Sequence, residues 1–133
     1  MNRLFAFVAG TSLSLGLLTQ SLGADWPHWR GPDRTGISRE NGWLDLWPSD
    51  GPKVAWRAKV GLGYSSFAVL GDRVVTMGHA DEKDTVYCFD AATGREVWKF
   101  DPSGGTGPRS RFRHRGVAVH ADRVMVTWRN FLI

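Results

Sequence analysis

The chain has 133 residues, 42% of them apolar, and a formal net charge of +4. That length holds one small domain, and so modest a charge suits weak attraction to anionic surfaces rather than specific nucleic-acid binding. A single cysteine, Cys88, excludes an internal disulfide.

The N-terminus carries Arg3, an apolar run over residues 4–18 broken by small residues, then polar Thr19-Gln20. Ser21-Leu22-Gly23 puts small residues where a signal peptidase reads them. This predicts a signal peptide over residues 1–23, cleaved between Gly23 and Ala24, and a periplasmic or secreted product. The run is too short and too rich in Gly and Ser for a comfortable membrane span, so a retained anchor is the weaker alternative. No cysteine follows the cleavage point, which disfavours a lipid anchor.

Residues 24–52 form an irregular opening segment rich in Trp, Pro and Gly. Trp26-Pro27-His28-Trp29-Arg30-Gly31-Pro32 and Thr35-Gly36-Ile37-Ser38 are dense in turn formers and lack a period. Trp43 and Trp47 extend the aromatic run before Pro48-Ser49-Asp50-Gly51-Pro52 turns the chain. These tryptophans are expected to cover apolar surface. A sugar-stacking platform, which would make the chain a carbohydrate-binding module, is the alternative.

Strands dominate from Lys53 onward. Val54-Ala55-Trp56-Arg57-Ala58 reads as a strand and residues 61–66 as a loop. Ala68-Val69-Leu70, a Gly71-Asp72 turn and Arg73 to Met77 read as a hairpin, and residues 78–84 as a polar connection. Val86 to Phe89 is apolar on both faces, as suits a strand covered from two sides. Asp90-Ala91-Ala92-Thr93-Gly94 supplies a turn, with a carboxylate to accept nearby amides and a glycine for positive φ. The chain returns with Glu96, Trp98 and Phe100 expected on one face, and its half-polar character suits a sheet edge. A helix is disfavoured here, because Thr93-Gly94 would interrupt it and no apolar stripe has helical spacing.

Ala118-Val119-His120-Ala121-Asp122-Arg123-Val124 copies Ala68-Val69-Leu70-Gly71-Asp72-Arg73-Val74 at an offset of 50 positions, whereas Trp56 and Trp98 are 42 apart. A single insertion of eight residues, within 101–115, reconciles the two offsets. A period in the forties with four short strands per unit is a propeller-blade period.

Cys88-x-Asp90-x-x-Thr93-Gly94-x-x-x-Trp98 resembles the repeat signature of PQQ-like β-propellers, the pyrrolo-quinoline quinone repeat of quinoprotein alcohol dehydrogenase-like proteins. Cys88 stands where alanine is usual. The opening Trp26-Pro27-x-Trp29-Arg30-Gly31-Pro32 is similar to that of exported PQQ-like repeat proteins common in planctomycete-type bacteria. The resemblance implies an all-β fold, a partial β-propeller of four-stranded antiparallel blades, incomplete over residues 53–133: about one complete blade with parts of its neighbours. It further implies that the turn locks an outer hairpin and that Trp98 docks on the adjacent blade. Because the last unit breaks off before a second such turn, a truncated product is expected, relying on other blades or protein chains as partners.

Little else points to chemistry. Arg109, Arg111, Arg113 and Arg115 alternate, so in an extended segment all four line one face, a candidate anion contact. A solvated basic loop is the preferred alternative. Residues 79–84 lack the register and mid-loop glycine of a calcium loop, and neither the glycine pairs nor Ser65-Ser66 sit in a nucleotide or nucleophile frame. No catalytic, cofactor or metal residues are therefore assigned, and the expected function is a non-catalytic scaffold resembling BamB-type assembly propellers. The alternative is a fragment of a PQQ-dependent dehydrogenase, which would need PQQ and calcium. That family's adjacent cysteine pair has no counterpart here.

Overall fold

A computed structural model of the protein describes residues 23–42, 46–102, 104, 116–128 and 131–132. The predicted signal peptide up to residue 22 and all four arginines of the 109–115 stripe lie outside the described residues.

The described residues are all-β and contain no helix. Four strands, β1 (Ala68–Leu70), β2 (Arg73–Ala80), β3 (Lys83–Asp90) and β4 (Glu96–Phe100), form one antiparallel sheet in sequence order. Three more, β5 (Val117–His120), β6 (Arg123–Trp128) and β7 (Phe131–Leu132), form a second antiparallel sheet, also in sequence order. Short turns impose this order, since links of two to five residues return the chain beside itself.

The two copies detected in the sequence fold alike. In the first, Ala68 faces Val75, Val69 faces Val74 and Leu70 faces Arg73. In the second, Ala118 faces Met125, Val119 faces Val124 and His120 faces Arg123, the same register shifted by 50. Both turns open on a positive φ, 56° at Gly71 and 51° at Ala121. Beyond this hairpin the copies diverge, with Ala80 facing Lys83 in the first and Trp128 facing Phe131 in the second.

Residues on one face of the four-stranded sheet, Ala68, Val75, Met77, Val86 and Cys88, join Val117, Val119 and Val126 of the second sheet in one buried cluster. The opposite face is covered by residues from the 53–67 stretch. Trp56 packs on Phe89, and a Cβ at Gly78 would run into the Val60 carbonyl. Cover on both faces explains why Val86 to Phe89 has no polar side.

Three expectations need correction. Residues 78–84 are not a polar connection: β2 runs to Ala80 and β3 begins at Lys83, joined by Asp81 and Glu82 with φ of 48° and 63°. Two left-handed residues close a hairpin whatever their polarity, provided they tolerate that region. Val54–Ala58 forms no ladder, because a strand needs a hydrogen-bonded neighbour and none of the described residues supplies one. Between β3 and β4 the register slips by one residue, so Trp98 faces Cys88 while Glu96 faces Phe89. A bulge of this kind interrupts strict alternation, and Glu96 does not keep step with Trp98 and Phe100.

The opening segment reaches both sheets. Trp26 exchanges backbone hydrogen bonds with Val69 of β1, at 2.9 Å each way, and Val119 of β5 donates to the Pro27 carbonyl at 2.8 Å. The Asp25 carboxylate accepts the Gly71 amide at 2.7 Å. Trp26 is partly buried, with its ring against Gly31, but Trp29 and Trp47 are 72% and 59% exposed, and Trp43 lies outside the described residues.

Candidate functional site

The most fully built constellation is the turn after β3. Asp90 Oδ1 accepts the Thr93 amide at 2.9 Å and the Thr93 hydroxyl at 2.6 Å. The Gly94 amide donates to the Asp90 carbonyl at 2.8 Å, and the Asp90 amide to the Arg95 carbonyl at 2.9 Å. A carboxylate that caps its own turn in this way leaves the backbone one low-energy path. The Thr93 hydroxyl and then its amide hold the Asp90 carboxyl below its ordinary value, with Arg73 and Arg95 adding to the effect.

This rigid turn is a socket for Trp56. The indole Nε1–H donates to the Ala91 carbonyl at 2.9 Å. Its ring lies over Gly94, where a Cβ would approach Trp56 Cδ2 to 2.5 Å. The ring also meets Phe89 at 6.0 Å between centroids, tilted by 41°, and Phe89 stacks on Tyr87 at 5.9 Å. Gly94 is therefore required twice, for its φ of 71° and for the space above it.

Cys88, Asp90, Thr93 and Gly94 thus gather around the β3–β4 turn. Trp98 is on β4 with them but points elsewhere. It faces Cys88, on the sheet face that meets the second sheet, and stays 37% exposed with no socket among the described residues. The docked tryptophan is Trp56, 42 positions earlier. The spacing that pairs the two residues was the signal for it. Cys88 is 1% exposed, and burial pushes its thiol up from its ordinary value, the opposite of an activated nucleophile.

A second constellation escaped the sequence reading. His79 Nδ1 lies 2.8 Å from Asp84 Oδ1, and the Asp84 side chain is only 3% exposed. His79 lines an open cleft of about 710 Å³ bounded by residues 58–62 and 79–82. Their closeness follows from the hairpin register, His79 facing Asp84, which the expected loop concealed. No group of three or more His, Cys, Asp or Glu among the described residues is placed to hold a metal ion.

Compared with known proteins, no family model, no curated protein and no solved structure matches the chain.

Proposed function

We propose that the chain is a PQQ-like β-propeller repeat protein, exported to the periplasm or beyond, serving as a non-catalytic scaffold that binds further blades or protein chains. The observation that carries this reading is the Trp56 socket, with Trp98 at the matching position 42 residues on left undocked among the described residues. A tryptophan from one repeat closes on the Asp90–Gly94 turn of the following sheet. The equivalent Trp98 leaves that sheet on the face toward the next one. Each unit then lends a side chain to its neighbour, which is how quasi-linear repeats couple. The matching registers of β1–β2 and β5–β6 support a repeated unit, and the four-stranded meander has the strand order of a blade.

The quinoprotein alternative would need an adjacent cysteine pair, and the chain has a single cysteine. The only cysteine is buried in the core, so no step through PQQ is derived. Incubating the exported chain with PQQ and calcium, followed by gel filtration, tests the point. The scaffold reading expects no quinone absorbance travelling with the protein, and stoichiometric retention would overturn it.

A further inference from the structure

Cleavage between Gly23 and Ala24 was read from the small residues preceding it. Independently, the structure puts the Ala24 nitrogen 2.6 Å from Glu40 Oε1. The carboxylate is held in place: the Ser38 hydroxyl donates to Glu40 Oε2 at 3.1 Å, and the Glu40 amide donates to the same hydroxyl at 3.1 Å. A carboxylate is thus poised at the one backbone nitrogen that leader removal would turn into an ammonium.

We propose that this is a receptor for the new N-terminus, and that leader removal builds an Ala24 ammonium–Glu40 ion pair which clamps the opening segment onto both sheets. The proposal rests on the signal-peptide reading above. A signal peptidase hydrolyses the Gly23–Ala24 bond with one water. The hydroxyl goes to the Gly23 carbonyl carbon and the proton to the Ala24 nitrogen. Gly23 leaves with the leader as a carboxylate, and at neutral pH Ala24 holds a protonated amine. A neutral amide has one hydrogen to offer Glu40. An ammonium has three and a full charge, and charge-assisted bonds are roughly twice as strong.

Other charged groups around the same 290 Å³ hollow are already engaged. Asp25 accepts from the Gly71 amide, and Asp33 pairs with Arg39 at 2.8 Å. The clamp also has somewhere to transmit its hold. Two residues beyond Ala24, Trp26 pairs with β1, and Pro27 accepts from β5. Fixing the terminus therefore fixes the only backbone stitch seen between the inner strands of the two sheets among the described residues.

The test uses the chain exported with its own leader, as wild type, Glu40→Gln and Glu40→Asp. Intact mass locates the N-terminus, and the α-amine is titrated by NMR after reductive methylation with labelled formaldehyde. An unperturbed α-amine titrates at about 7.7–8.0. The clamp predicts a wild-type value about half a unit above that of Glu40→Gln, equivalent to roughly threefold slower acylation of the unmethylated amine near neutral pH. Glu40→Asp, which keeps the charge, should retain part of the shift. An Ala24 terminus with identical titration in wild type and Glu40→Gln overturns the clamp and leaves the leader reading standing. A retained leader, or a terminus elsewhere, overturns both.

Discussion

Replacing Trp56 with alanine removes three things: the indole hydrogen bond to Ala91, the ring contact with Phe89 and the cover over Gly94. The first contributes about 1 kcal/mol net and the second about 0.5–1.5 kcal/mol beyond its area. Trp56 is only partly buried, so the total falls below the ~3–5 kcal/mol of a fully buried indole. About 2–3 kcal/mol is expected. Gly94→Ala should cost about as much, because it combines left-handed strain of ~1–2 kcal/mol with a methyl driven into the ring at 2.5 Å from Cδ2. The decisive measurement is the double mutant, read by urea titration with far-UV circular dichroism. Once the indole is gone the methyl has nothing to strike, and Gly94→Ala should then cost only its strain. The two effects should miss additivity by about 1–2 kcal/mol. Additivity to within about 0.5 kcal/mol would refute the socket. Trp98→Ala is the control, expected near 1 kcal/mol or less because the side chain is already part exposed and undocked.

Gly78→Ala should cost roughly 1–3 kcal/mol, because its Cβ meets the Val60 carbonyl and must push the covering segment away; equal stability in thermal melts would show that the segment is not seated there. The Asp90 carboxyl titrates lower in the folded than in the unfolded chain. Its stabilisation is therefore complete above the unfolded aspartate value of about 3.9 and is lost as pH falls through the folded value. Thr93→Val removes the main cause of that lowering and should flatten the acid limb of a stability–pH curve; an unchanged limb would contradict the assignment. Native Cys88 should resist iodoacetamide near pH 8 and react freely in urea, since burial both hides the thiol and disfavours its thiolate. Labelling at the rate of an unfolded peptide would place it outside the core.

Local chemistry accounts for the elements legible in the sequence. Gly71-Asp72 and Asp90–Gly94 are turns whose residue types supply the φ values and carboxylate acceptor that a turn needs, so both hairpins were visible. Polarity alone predicts a loop over residues 78–84, yet Asp84 is turned inward toward His79 in a hairpin. Trp56 lies in a segment that forms no ladder and Trp98 on β4, and tertiary packing sets the first indole against the Asp90–Gly94 turn while the second has no socket among the described residues.

The Gly71-Asp72 and Asp90–Gly94 turns, which depend on near neighbours, and the recurrence at 50 positions were therefore written in the chain itself. Which sheet face meets which partner, the one-residue slip beside Cys88, the Ala24–Glu40 contact and the stitch from Trp26 and Pro27 to two sheets were decided by assembly. Apart from the slip, those contacts join residues 16 to 92 positions apart, and no local propensity extends over such distances.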